Sequence, residues 1–300
     1  MPSRPEPDEP RAPRVPAAVV WMLVTTFFFV CVHATGKYLV ASHPVVQVVW
    51  GRYVFHLLFA AAILGPRLTR VARTANLRLQ LLRSLFMLGA SGFYFAGVRT
   101  LPLAEANAIA FTTPILVVLL AQPVLGERVG PRRWLGVAGG FLGALIVIRP
   151  GSGVMDLAAG FLLASAFCNA CYHIATRQIG ARDDPLTTLF YAAVVGTAGA
   201  SAALPVVWQP LDAEAWLLLA VLGGVACAGH FAIIKAYQAA PASVVAPFNY
   251  AILIWTVVFG YVIFGDLPGP WTLLGAAVIV LSGLYILRRE RGAKPPDPLP

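Results

Sequence analysis

Three histidines, His33, His173 and His230, lie deep inside long apolar runs of the sequence, and two arginines, Arg52 and Arg83, do the same. An ionisable side chain in hydrocarbon costs a few kcal/mol, so such residues are expected to face a cavity or a partner. Imidazole donates and accepts hydrogen bonds, and a guanidinium matches a carboxylate, which makes Arg52 and Arg83 candidate carboxylate partners. Asn249 and Tyr250, with Phe111 opposite, combine an amide with aromatic surface, as small-molecule sites do within a mostly apolar wall. Tyr94 and Trp255 add ring faces. The competing reading has His33 and His173 donating to backbone carbonyls at helix contacts, and the rings packed against neighbours or lipid.

Other residues have a narrower choice of role. Pro114 and Pro247 sit in apolar runs, where each removes a backbone donor and frees the carbonyl of Ala110 or Ser243; each is a hinge or a passive kink. Glu105, three residues after Pro102, either takes up and releases a proton or interacts with the dipole of its helix. Cys168 and Cys171 share a helix face that His173 does not, so one helix cannot chelate with all three, and neither a metal site nor a cofactor is expected. The sequence holds no HExxH, no GxSxG and no paired aspartates inside an apolar run, so an enzyme is not expected.

The elements that must hold these groups follow from composition. Hydrophobic residues make up 59% and charged residues 12% of the chain, with a mean hydropathy of +0.77, too apolar for the surface of a soluble domain. About 20 apolar residues cross a bilayer as a helix. On that measure the spans are 17–40, 44–66, 79–99, 102–123, 131–149, 157–179, 185–206, 214–238, 241–264 and 270–288, an all-α integral membrane protein of ten transmembrane helices. Residues 1–16 and 289–300, rich in proline and charge, read as disordered tails.

The spans repeat. Gly97 to Arg149 aligns without a gap on Ala236 to Arg288, with Pro102 over Pro241 and Gly126-Glu127 over Gly265-Asp266. Cys31 and His33 fall over Cys171 and His173 one residue further apart, and Ser91 over His230. Units 17–149 and 157–288 each hold five spans, and an odd number inverts the second unit relative to the first. Inverted repeats place substrate near the bilayer midplane, where they meet.

Charge supports that reading. Of 22 Lys and Arg, Lys37, Arg99 and Arg149 fall at one set of span ends, Arg52 and Arg83 within spans, and all others at the opposite ends or in the tails. The positive-inside rule then makes both termini cytoplasmic and explains the net charge of +9 without nucleic acid. Lys37, Arg99, Arg149 and Lys235 are expected to snorkel towards the interface. Gly136, Gly139, Gly140 and Gly143 form small-xxx-small patterns, expected to bring helices together within the first unit, or less strongly to form a dimer face.

Leu101-Pro102-Leu103-Ala104, Gly126-Glu127, Trp134-Leu135-Gly136 and Gly143, mirrored by Ala240-Pro241-Ala242-Ser243, Gly265-Asp266, Gly275 and Ser282-Gly283, carry a resemblance. The chain resembles the ten-helix exporters of the drug/metabolite transporter superfamily with two EamA-type domains, and within them exporters of amino acids, aromatic ones included. The resemblance implies an alternating-access exporter of small metabolites in a bacterial inner membrane. Its expected partners are a small-molecule substrate and the lipid bilayer, in a monomer or weak homodimer; nucleosides, quaternary amines and S-adenosylmethionine are alternative substrates.

Overall fold

A backbone surrounded by apolar side chains must satisfy its N–H and C=O groups internally, and uninterrupted apolar runs of this length do so as helices. The computed structural model describes residues 15–126, 131–149, 157–179, 183–240 and 245–290, and among them there is no strand. The first unit holds α1 (Val15–Ser42), α2 (Val45–Leu64), the short α3 (Leu68–Val71), α4 (Leu77–Val98), α5 (Leu103–Ala110), α6 (Thr113–Leu125) and α7 (Pro131–Ile148). The second holds α8 (Leu157–Ile179), α9 (Pro185–Val207), α10 (Ala213–Ala239), a 3-10 turn (Ala246–Tyr250), α11 (Ala251–Phe264) and α12 (Pro270–Glu290). Seven of the helical stretches are long and apolar enough to cross a membrane, and three shorter apolar stretches cover 134–148, 248–264 and 270–285. Most of the two expected tails lies outside the described residues, although α1 already begins at Val15 and α12 runs to Glu290.

Local chemistry fixes the helix ends. Asp184 and Asp212 cap α9 and α10, accepting from the Leu186 and Ala215 amides at 2.8 and 2.7 Å. Gly126 and Gly265, repeat mates, end α6 and α11 with φ of 70° and 69°, the left-handed caps that glycine adopts without penalty.

Two expected spans are not single helices. The fourth, 102–123, breaks at Phe111 and Thr112, and the ninth changes from 3-10 to α at Tyr250. These breaks are repeat mates. At the first, Pro114 cannot donate to Ala110, and the Thr113 hydroxyl donates to that carbonyl instead at 2.8 Å, while Thr112 serves Ile109 likewise at 2.8 Å. The kink is thus satisfied within the chain. Pro247 lies in the 3-10 turn, but its side chain is outside the described residues, as is Ser243.

Packing obeys the same symmetry. α1 packs on α10 and α4 on α8; α2 meets α10 as α4 meets α9; α6 meets α8 as α11 meets α1. The self-related pairs are α2 with α9 and α7 with α12. Exchanging the two units leaves this set unchanged. The surface is inverted relative to a water-soluble fold: Ile63 and Leu281 are 67% and 66% exposed, whereas Arg52, Arg83 and Gln47 are 5%, 3% and 0% exposed.

Polar ties join the connections. Gln47 donates to the Gln209 carbonyl at 2.7 Å and accepts from its amide at 3.2 Å. Asp183 accepts from Thr74 Oγ1 at 2.5 Å, Gln80 Nε2 at 2.9 Å and the Ala75 amide at 3.3 Å. Lys37 does not simply snorkel. It donates to the Leu101 carbonyl at 2.9 Å and to Asp266 at 3.2 Å, 4.8 Å from the Phe264 ring centre, tying α1 to two turns.

The glycine stripe of α7 works mainly between the units rather than within the first. A Cβ on Gly143 would lie 2.9 Å from the Gly275 carbonyl of α12, and one on Gly139 would lie 2.6 Å from Ser282 Oγ; only Gly140 faces the first unit, against Ile115. Backbones in such contact leave no room for a side chain. Gly143→Val is therefore expected to lose about 2 kcal/mol through overpacking, read as a lower thermal midpoint and a broadened elution profile in detergent.

Burial pushes the Asp183 carboxyl up, but the hydrogen bonds from Thr74, Gln80 and Ala75 outweigh it and hold its pKa below the ordinary 3.8. A depressed folded pKa adds stability above the unfolded value, and that stability is lost as pH falls through the folded one. Thermal midpoints of the wild type and Asp183→Asn should differ at neutral pH and converge below pH 3.8.

Candidate functional site

Where the units meet, the helices enclose a cavity of about 330 Å³. α1 presents Phe29, Val32 and His33 to it, and α8 presents Asn169, Tyr172 and His173 at the equivalent positions of the repeat. α4 and α10 likewise contribute Ser91 with His230, and Tyr94 with Ile233. Around the two helix breaks, Ala110 is matched by Asn249 and Thr113 by Ile252. Residues three and four apart share a helix face, so one stripe of the ancestral unit lines the cavity twice. Nearby, the repeat mates Phe111 and Tyr250 stack on each other, ring centres 5.3 Å apart at 26°.

The polar groups form two sets. In the first, the His33 ring lies 4.3 Å from the Tyr94 ring, and Asn107, anchored on the Leu103 carbonyl at 3.1 Å, lines the cavity beside them. His33 Nδ1 and Tyr94 Oη are buried, and neither makes a well-directed hydrogen bond. His33 Nδ1 thus does not donate to a backbone carbonyl. The second set centres on Arg52, whose Nη1 donates to Ser91 Oγ at 2.5 Å while its buried Nε has no partner. Tyr53 braces this pair, with its hydroxyl 3.0 Å from Ser91 Oγ and donating to the Met87 carbonyl at 3.1 Å. His230 lies edge-on to Phe29 at 5.2 Å and 5.5 Å from His56, a buried ring with both nitrogens unpartnered.

Of the residues singled out in the sequence, His33, Arg52, Tyr94, Pro114, His173, His230 and Asn249 converge on this cavity. Tyr250, Trp255, Arg83 and Glu105 do not line it. Tyr250 is committed to Phe111 and to Gly283 of α12, and Trp255 packs edge-on against Phe27 at 5.4 Å. Arg83 stands one layer back, donating to Thr176 Oγ1 at 2.7 Å, the Thr188 carbonyl at 2.9 Å and Tyr172 Oη at 2.6 Å. Glu105 accepts from Thr272 at 3.3 Å, between α5 and α12.

Asn107, Asn169, Tyr172 and Phe29 were not singled out. Asn107 is matched by Ala246 in the repeat, so symmetry gave no signal for it. Asn169 sits between Cys168 and Cys171, which drew attention to the sulfurs instead; its mate Phe29, and the neighbour Tyr172 with mate Val32, follow directly from the spacing that relates His33 to His173. Among the described residues no group of His, Cys, Asp and Glu is arranged to hold a metal.

The sequence profile of the EamA-like transporter family matches this chain twice, over residues 16–149 and 156–288. A riboflavin transporter of Vibrio cholerae is 31% identical over 90% of this chain and 93% of its own length. The pseudopaline exporter CntI of Pseudomonas aeruginosa is 27% identical over 92% and 98%, and an S-adenosylmethionine uptake transporter of Rickettsia prowazekii 26% identical over 79% and 82%. One crystal structure aligns with a TM-score of 0.60 at 20% identity, covering 89% of this chain and 98% of its own, a likeness of fold alone. The chain is a member of the EamA-like transporter family, in the drug/metabolite transporter superfamily, and carries two EamA-type domains.

Proposed function

We propose that the chain is an alternating-access carrier of the bacterial inner membrane that moves a small aromatic metabolite through the central cavity. In this reading 17–149 and 157–288 are inverted units of five spans each, with residues 1–16 and 289–300 cytoplasmic. The observation that carries it is the lining of one cavity by matched positions of both units, because rocking one unit against the other would expose such a site to each side in turn.

Riboflavin is the first substrate to assay. Tyr94, Phe29 and Tyr172 offer ring faces to a planar heterocycle, Asn107, Asn169 and Asn249 offer amides to its polar edge, and a relative over nearly the whole chain is named for it. Aromatic amino acids are the second reading, favoured by the unpaired guanidinium of Arg52 in the wall. S-adenosylmethionine fits less well, since no carboxylate lines the cavity among the described residues to balance its sulfonium. The relatives are named for both uptake and export, so the cavity, rather than a direction of flux, is the common element.

Counterflow in proteoliposomes tests both candidates. Saturable exchange of labelled riboflavin, or of tryptophan or phenylalanine, is expected, and the absence of saturable exchange for all three would remove this reading. Tyr94→Leu and Asn107→Ala should each slow exchange about tenfold, roughly 1.4 kcal/mol of lost interaction, with folded protein retained. Arg83→Gln removes the donor that orients Tyr172, so it should raise the half-saturation concentration more than it lowers maximal exchange.

A further inference from the structure

Two guanidinium groups are buried in this bundle, and they differ in what answers them. Each nitrogen of Arg83 donates to a neutral oxygen of the chain, which commits three of its five N–H groups, and its side chain does not line the cavity. Arg52 has one such bond, to Ser91, and its side chain lines the cavity with Nε buried and unpartnered. Tyr53 and Ser91 fix where it points: its guanidinium carbon lies 4.9 Å from the Tyr53 ring centre, and the Tyr53 hydroxyl is bonded to Ser91. His33 and His230 line the same cavity, and the His56 ring lies 5.5 Å from that of His230. No carboxylate stands within ion-pair distance of Arg52 among the described residues, and Glu105, the acid nearest the core of a span, is turned to Thr272.

A full positive charge withdrawn from water costs several kcal/mol unless an anion meets it. For Lys37 that anion is built in as Asp266, and Arg83 is answered by three neutral oxygens. At Arg52 no anion of the chain is supplied among the described residues: one N–H goes to Ser91, Nε has no partner, and the side chain lines the cavity, where a guanidinium can pair with the oxygens of an oxyanion. Resting on the carrier reading above, we propose that Arg52, aimed by Ser91 and Tyr53 and backed by His56 and His230, is the anchor for an oxyanion of the transported molecule. The substrate class is then an aromatic body bearing one carboxylate or phosphate. Repeat symmetry does not supply a second anchor, because the positions 139 and 140 residues on from Arg52 are Tyr191 and Ala192, neither of them charged, so the anion seats in one unit and the substrate has one orientation.

Two probe pairs separate the sources of the oxyanion: riboflavin against flavin mononucleotide, and indole-3-acetamide against indole-3-acetate. Binding to the purified full chain in detergent is measured by calorimetry. The anionic member of at least one pair should bind about tenfold more tightly or better; preference in the flavin pair points to phosphate, and in the indole pair to carboxylate. Arg52→Gln should bring that ratio to about one, and Arg52→Lys should retain part of it. Should Arg52→Gln not fold, Ser91→Ala, which removes the acceptor that aims the guanidinium, should lower the same ratio. Equal binding of both members in both pairs, no binding of any probe at millimolar concentration, or a ratio that survives Arg52→Gln would overturn the proposal. An anion preference without counterflow of any substrate would instead sink the carrier reading and leave the anchor standing.

Discussion

Hydrocarbon offers polar atoms no hydrogen bonds, and the architecture of this chain follows from that constraint. Backbone groups are answered within helices. Where a helix must break beside the cavity, at Phe111 and Thr112, the Thr113 hydroxyl takes over the Ala110 carbonyl that Pro114 leaves open, and the Thr112 hydroxyl adds a second donor to the Ile109 carbonyl. Side chains follow the same rule: Gln47, Gln80, Arg83 and Ser165 are all buried, and each donates to an oxygen of another element. Buried atoms without a partner occur at or beside the cavity in His33, Tyr94, Arg52 and His56, and outside its lining in Gln80, Thr197 and Trp255.

Duplication explains the position of that cavity but not its chemistry. Matched stripes on α1 and α8, and on α4 and α10, give a symmetric lining, and the stacked rings of Phe111 and Tyr250 sit between the matched breaks. The charged and amide groups are not symmetric. Arg52 and Asn107 belong to the first unit, with Tyr191 or Ala192 and Ala246 opposite them in the alignment, whereas His230 faces Ser91. Symmetric walls suit a site seen from both sides in turn, and asymmetric polar groups suit a solute that is not itself symmetric.

Glycine contacts and polar ties divide the remaining work. Close backbone approach at Gly143 and Gly275 joins α7 to α12 away from the cavity, while Lys37, Gln47 and Asp183 tie connections to neighbouring helices at the ends of the bundle. Van der Waals contact between helices needs no strong polar group, so the stripe of small residues can be extensive. The ties, in contrast, are few and placed where polar groups can reach water when they part.

Periodicity, apolar length and internal repetition were enough to read the helical class, the approximate element bounds, the membership of a transporter family and part of the cavity lining, His33, Arg52, Tyr94, His173, His230 and Asn249 among it. These are properties of one strand of text, since hydrophobic length and repeat spacing need no knowledge of neighbours. Which buried cation was free was decided only in three dimensions: Arg52 and Arg83 look alike in sequence, and their difference lies in Thr176, Tyr172 and the Thr188 carbonyl, about a hundred positions away from Arg83 along the chain. The same holds for Tyr250 and Trp255, whose rings turn to Phe111 and Phe27, and for the glycines of α7, whose partner is α12. Side-chain direction depends on which helix arrives alongside, and that is settled by the packing of the two units rather than by any local pattern.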